Sequence, residues 1–182
     1  MKGNRAVLTA VVIVVLLVAG WWMFRRTGGA AAIDLLSTFA TAEKKPASGT
    51  FEVVDMDLNG EEKRAIFTVP PTRLTWKVRI PDDAWLKLSV ATKPETWEKE
   101  GDGVLFFVGV SDGRVFDQLF TLHVDPHTNQ GERRWIPVTV DLSAYAGEEV
   151  DIVFNTRASA PGKADDPRND LALWGAPEIV IR

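Results

Sequence analysis

The sequence predicts an all-β domain, an antiparallel β-sandwich of jelly-roll type, preceded by one N-terminal transmembrane helix and a short juxtamembrane helix. Three observations carry this reading. An uncharged, mostly apolar run spans Ala6 to Phe24. About nine short segments after Pro46 have strand-like patterning, with Gly, Pro, Asn and Asp marking turns between them. After Pro46 no stretch keeps a helical period beyond one turn. The implied organisation is an anchor over residues 1–26, a linker with an amphipathic helix over 27–49, and an extracytoplasmic sandwich over 50–182.

At about 1.5 Å rise per residue, a helix from Ala6 to Phe24 reaches about 28 Å, near the thickness of a bilayer's hydrocarbon core. Trp21 and Trp22 suit the membrane–water interface, and Arg25 and Arg26 close the run. A cleaved signal peptide is the competing reading, because Val18-Ala19-Gly20 offers small residues to signal peptidase. Against cleavage stand the length of the run and the bulky Trp21-Trp22 that would follow the cut. The long C-terminal domain favours the N-terminus inside and the head outside, which predicts a single-pass protein of a bacterial inner membrane with its head in the periplasm.

From Ala30 to about Glu43, Ile33, Leu36, Phe39 and Ala40 recur at helical spacing, Lys44-Lys45 suit a helix C-terminus, and Pro46 stops it. Its apolar face would lie on lipid, pack under the head or dock on another protein. Phe51 to Leu58 and Lys63 to Val69 then flank Asn59-Gly60, the pair suited to a tight hairpin with positive φ. Leu74, Trp76, Val78 and Ile80 alternate with Arg73, Thr75, Lys77 and Arg79, so the first set faces a core. Ala84 to Ala91 is a further strand. Gly103 to Ser111 is apolar on both faces and reads as a central one. Arg114 to Val124, Trp135 to Leu142, Val150 to Arg157, Leu171 to Trp174 and Glu178 to Ile181 complete the set. Ser143-Ala144-Tyr145-Ala146-Gly147 reads as one helical turn closed by Gly147, with Tyr145 plugging the end of the sandwich.

Composition narrows the chemistry. The chain has 182 residues, no cysteine and a net charge of −4. Disulfides, thiolate metal sites, cysteine nucleophiles and a lipidated cysteine are therefore excluded. Scattered basic residues give no nucleic-acid footprint.

The run from Trp135 to Gly147, followed by Val150, Ile152, Phe154 and Thr156, is similar to the galactose-binding-like jelly-roll family. It looks most like the extracytoplasmic versions found in bacterial membrane proteins and sulfatases. Asn169 to Pro177 matches the closing strand of those domains, and Arg64-Ala65-Ile66-Phe67 and Gly101-Asp102-Gly103-Val104 also fit. The resemblance covers about Phe51 to Arg182 and implies a fold rather than a ligand. It also implies that a structural calcium at a sandwich edge is possible. No Cys or Ser stands before Pro-x-Arg, so sulfatase activity is not carried over.

Asp55 to Gly60 opens like a calcium-binding EF loop, but Ile66 occupies the position that needs a bidentate Glu. Asp165, Asp166, Asn169 and Asp170 offer oxygen ligands in a loop. His123 and His127 flank Asp125, yet four-residue spacing gathers ligands on a helix and not at a strand end. No Gly-x-Ser-x-Gly elbow occurs, and no carboxylate pair has an acid–base context, so no enzyme is expected. Trp97 sits in a charged loop where an exposed indole would stack on a sugar or anchor a protein interface. Trp85 alternates with Leu86 and Leu88 and also faces outward. Two functions follow: an accessory subunit of a bacterial membrane complex, contacting its partners through Ile33, Leu36, Phe39, Trp85 and Trp97, or a membrane-tethered carbohydrate-binding module. The expected partners are membrane lipid and neighbouring subunits, or carbohydrate, without cofactor.

Overall fold

A computed structural model describes residues 33–159 and 162–181. The expected span Ala6 to Phe24, with Trp21, Trp22, Arg25 and Arg26, lies outside the described residues. Among the described residues no helix is long and apolar enough to cross a membrane.

Alternating side chains build two antiparallel sheets, because each strand has one apolar row to bury. The strands are β1 (Ile33–Asp34), β2 (Glu43–Lys45), β3 (Phe51–Leu58), β4 (Glu61–Thr68), β5 (Thr72–Arg79) and β6 (Ala84–Thr92). There follow β7 (Val104–Ser111), β8 (Phe116–Val124), β9 (Ile136–Asp141), β10 (Glu149–Arg157) and β11 (Ala172–Ile181). The first sheet runs β3-β4-β11-β6-β9, with β1 against the second half of β11. The second runs β2-β5-β10-β7-β8. Between them Trp76, Phe154, Trp174 and Phe106 form a chain of ring contacts with centroids 4.7–5.0 Å apart, inside a core that also takes Leu74, Ile152, Val108 and Leu86.

The hairpin at Asn59-Gly60 forms as the sequence predicts, with φ of 58° and 86°. β7 is an interior strand between β10 and β8. Ser143–Tyr145 forms a single 3-10 turn, and Gly147 follows at φ 77°. Half-buried Tyr145 packs against the core at that end and donates its hydroxyl hydrogen to Asp117 Oδ2 at 2.9 Å.

Two expectations need correction. The helix from Ala30 to Glu43 does not form over its described part, Ile33 to Glu43: β1, a 3-10 turn at Phe39–Thr41 and the start of β2 take its place. Asp34 Oδ1 accepts from the Leu36 N–H at 2.8 Å, and the Leu35 N–H donates to Pro177 O at 3.1 Å. Sheet and turn partners thus claim the backbone groups a helix would use, while Leu35 is fully buried. Tertiary burial outweighs local spacing here. Secondly, Leu171 to Trp174 and Glu178 to Ile181 are not separate strands. They are the two halves of β11, joined across an irregularity at Ala176-Pro177 where Ala176 has φ 43°.

Candidate functional site

The outer face of the first sheet carries a groove made by small side chains. Ala65, Gly175, Ser89 and Pro137 stand side by side across β4, β11, β6 and β9. Their chain neighbours Ile66, Trp174, Val90 and Val138 or Ile136 point into the core, so this row faces out. Further along, Lys87 lies between Glu178 and Thr139, and Trp85 between Val180 and Asp141. From Ser89 to Trp85 the floor runs about 14 Å at strand rise. A cavity of about 210 Å³ over the small row and one of about 300 Å³ beside Trp85 share Lys87 and Thr139 as lining, so they form one continuous depression.

Two tryptophans bound it. Trp135 is buried, donates its indole N–H to Glu61 O at 2.9 Å and lies over Gly175. Lys63, paired with Glu61 at 2.8 Å, stands beside it. At the far end half-buried Trp85 presents an indole. An aromatic face flanked by an ammonium, a carboxylate and a hydroxyl (Lys87, Glu178, Thr139) suits a ligand with apolar faces and a hydroxyl rim.

Trp97 is placed differently. It is half-buried over a second apolar cluster, on the outer face of the first sheet, formed by Leu58, Ala65, Phe67, Ala91, Trp135 and Leu173. Its indole N–H donates to Thr92 O at 3.1 Å, and its carbonyl accepts from Arg133 Nη2 at 3.1 Å. Arg133 also donates to Pro126 O at 2.9 Å and pairs with Glu98 at 2.5 Å, which ties loop 93–103 to loop 125–135. Ile33, Leu36 and Phe39 are half-buried against the main core. The structure therefore brings Trp85 to the groove and leaves Trp97, Ile33, Leu36 and Phe39 elsewhere.

The polar candidates are held by local contacts, and of them His127, Asn169 and Asp170 line one small cavity at the loop end. Asp57 accepts from the Gly60 N–H at 2.9 Å within the hairpin. His123 Nε2 lies 2.6 Å from Asp102 O; a carbonyl only accepts, so that nitrogen carries the proton. His127 meets Asp125 through its backbone N–H at 3.2 Å. Asp166 pairs with Arg168 at 2.6 Å, which holds its carboxyl down at about 2, while Asn169 donates to Glu100 O at 2.8 Å. Among the described residues no three His, Cys, Asp or Glu side chains come close enough to hold a metal ion.

Asp170 is the exception in burial. It is 2% exposed, and neither its Oδ2 nor the buried Thr92 Oγ1 has a hydrogen-bond partner. Desolvation, then repulsion from Asp102, Asp166 and Asp125, pushes its carboxyl up to about 7. Both line a cavity of about 20 Å³ at the loop end, room for little more than one water and too small for a sugar ring.

The groove floor was not legible beforehand. Ser89, Thr139, Gly175 and Lys87 carry no motif; only the outward register of Trp85 pointed there.

No family model matches the chain. A protein of Archaeoglobus fulgidus described as uncharacterized is 42% identical over 104 residues, 57% of this chain and 25% of that one. The chain thus spans about a quarter of that relative's length. Among solved structures, CBM51 from Clostridium perfringens GH95 in complex with methyl-galactose has a TM-score of 0.55 at 13% identity, covering 82% of this chain and 99% of that one. TmCBM61 in complex with β-1,4-galactotriose has 0.52 at 13%, covering 79% and 90%. The CBM22-2 xylan-binding domain from Paenibacillus barcinonensis Xyn10C has 0.52 at 10%, covering 84% and 99%. These neighbours are carbohydrate-binding modules, and at such identity the likeness speaks for fold alone. The described residues have the galactose-binding-like jelly-roll β-sandwich fold that those modules share.

Proposed function

We propose that this chain is a non-catalytic carbohydrate-binding module, tethered to a membrane by Ala6 to Phe24 with its sandwich on the extracytoplasmic side. The observation that carries the reading is the groove on the first sheet. Its floor is cleared by Gly175 and Ser89 and its end is set by the outward indole of Trp85. Sugar rings have apolar faces and polar edges, so an indole flanked by Lys87, Glu178 and Thr139 matches both. The fold likeness to modules solved with methyl-galactose and β-1,4-galactotriose, and to a xylan-binding domain, supports it. Isothermal titration of the full chain with β-1,4-galacto-oligosaccharides and xylo-oligosaccharides tests it. Binding weakened at least tenfold by Trp85→Ala, about 1.4 kcal/mol, is expected. No binding of either series, or binding indifferent to Trp85, refutes it.

A second reading, an accessory subunit of a membrane complex, is favoured by one feature. Val115 and Phe116, at the β7–β8 hairpin, are 58% and 48% exposed, an apolar pair open to a partner. Stoichiometric co-purification from solubilised membranes, lost in Val115→Ser/Phe116→Ser, is its expected signature. Recovery of the chain without partners removes it.

A further inference from the structure

We propose that the outer face of the second sheet is a separate binding site for an acidic polysaccharide, one whose rings bear carboxylate or sulfate groups. Lys45, Arg73, Asn155, Phe107 and Thr121 form one transverse row that crosses all five strands of this sheet, β2 to β8. Their neighbours Leu74, Phe154 and Phe106 are buried in the core, so the row faces out. At strand spacing it extends about 19 Å. Arg157, two residues beyond Asn155 on the same face, brings its guanidinium 5.3 Å from the Phe107 ring centroid.

Charge on this face is uneven. Lys45 pairs with Glu43 at 2.8 Å and Lys77 with Asp151 at 3.2 Å. The side chains of Arg73 and Arg157 have no ion pair or hydrogen bond with any described residue. Two uncompensated guanidinium groups flank Asn155 in a chain whose net charge is −4. The Phe107 ring attracts the Arg157 guanidinium by a cation–π contact, and no described group takes its N–H edge. That edge matches carboxylate or sulfate oxygens in a two-point contact, which a lysine does not reproduce. Asn155 and Thr121 supply neutral donors and acceptors for hydroxyls between the charges. The row is linear, polar and interrupted by one half-buried ring, which fits an extended glycan. Because the whole protein is acidic, attraction to a polyanion has to come from a local basic patch such as this one and not from net charge.

The site is independent of the groove on the first sheet. Affinity electrophoresis of the full chain in detergent, through gels containing polygalacturonate, dextran sulfate or neutral galactan, tests it. Retardation by polygalacturonate or dextran sulfate is expected, and the two polymers separate the carboxylate form of the ligand from the sulfate form. Affinity should fall at least tenfold in Arg73→Gln/Arg157→Gln, weaken with added salt and be unmoved by Trp85→Ala. Arg157→Lys, which keeps the charge and loses the planar fork, should also weaken binding. Failure of both polyanions to retard the chain, or equal retardation of the double variant, overturns the proposal. So does equal arginine-dependent binding to phosphatidylglycerol vesicles, which would make the face a lipid contact. Loss of galactan binding with polyanion binding intact would count against the groove alone.

Discussion

Trp135 lies so close over Gly175 that a Cβ on the glycine would stand 2.7 Å from Cζ3 and 3.1 Å from Cε3 of the indole. The groove end therefore depends on the absence of a side chain at one position. Gly175→Ala should push Trp135 away or bend β11, a clash of the overpacking kind that costs about 1–3 kcal/mol. Lowered thermal stability together with weakened binding of a groove ligand is the expected pair of results. An unchanged melting temperature would show that the indole yields freely.

Asp170 should make stability depend on pH in an unusual direction. Its carboxyl is pushed up to about 7 in the fold, against an ordinary value of 3.8. Between those values the folded chain holds a proton the unfolded chain has lost, so stability falls as pH rises through this window and levels above it. Asp170→Asn removes the charge. It should melt a few degrees higher than the parent at pH 8, while the two converge below the ordinary value of 3.8, as calorimetry across pH would record. A gap that is largest at acid pH contradicts this.

Arg133 holds two loops through Pro126 O, Trp97 O and Glu98. Arg133→Ala leaves two carbonyls without their donor, a loss of about 1–3 kcal/mol. Hydrogen exchange should quicken over residues 93–103 and 125–135 first, with the core strands β7 and β10 still protected. Uniform loss of protection would mean that the arginine supports the whole sandwich.

Tyr145 closes the end of the sandwich opposite that loop pair. Desolvation and the hydrogen bond to Asp117 push its hydroxyl up to about 12. Stability from this phenol is present below about pH 10 and lost as pH rises towards 12. Tyr145→Phe should cost about 0.5–1.5 kcal/mol at neutral pH. Ultraviolet titration of the chain's one tyrosine reads the ionisation directly, and a midpoint near 10 would exclude the buried contact.

The sandwich was legible because its strands repeat with period two and its tightest turn is Asn-Gly. Leu74, Trp76, Val78 and Ile80 face the core as their alternation requires. The segment at Ile33 to Phe39 misled, since apolar residues three apart also arise where a strand leads into a 3-10 turn against a core. Ala176 and Pro177 split β11 in the sequence because a proline and a positive φ look like a chain break when the flanking strand partners are unknown. The groove was hidden for a different reason. Its floor is made of residues that contribute space, and Gly175 and Ser89 acquire meaning only when β11 and β6 are paired. Trp97 attracted notice through its charged neighbours, yet Thr92 O and the cluster around Phe67 account for it.

β1 enters antiparallel to the far half of β11, with Ile33 opposite Ile179. The two ends of the described sandwich, Ile33 and Ile181, therefore lie at one pole. Such a unit can be spliced into the loop of a larger protein without stretching its host, and its opposite pole then remains the part held furthest out.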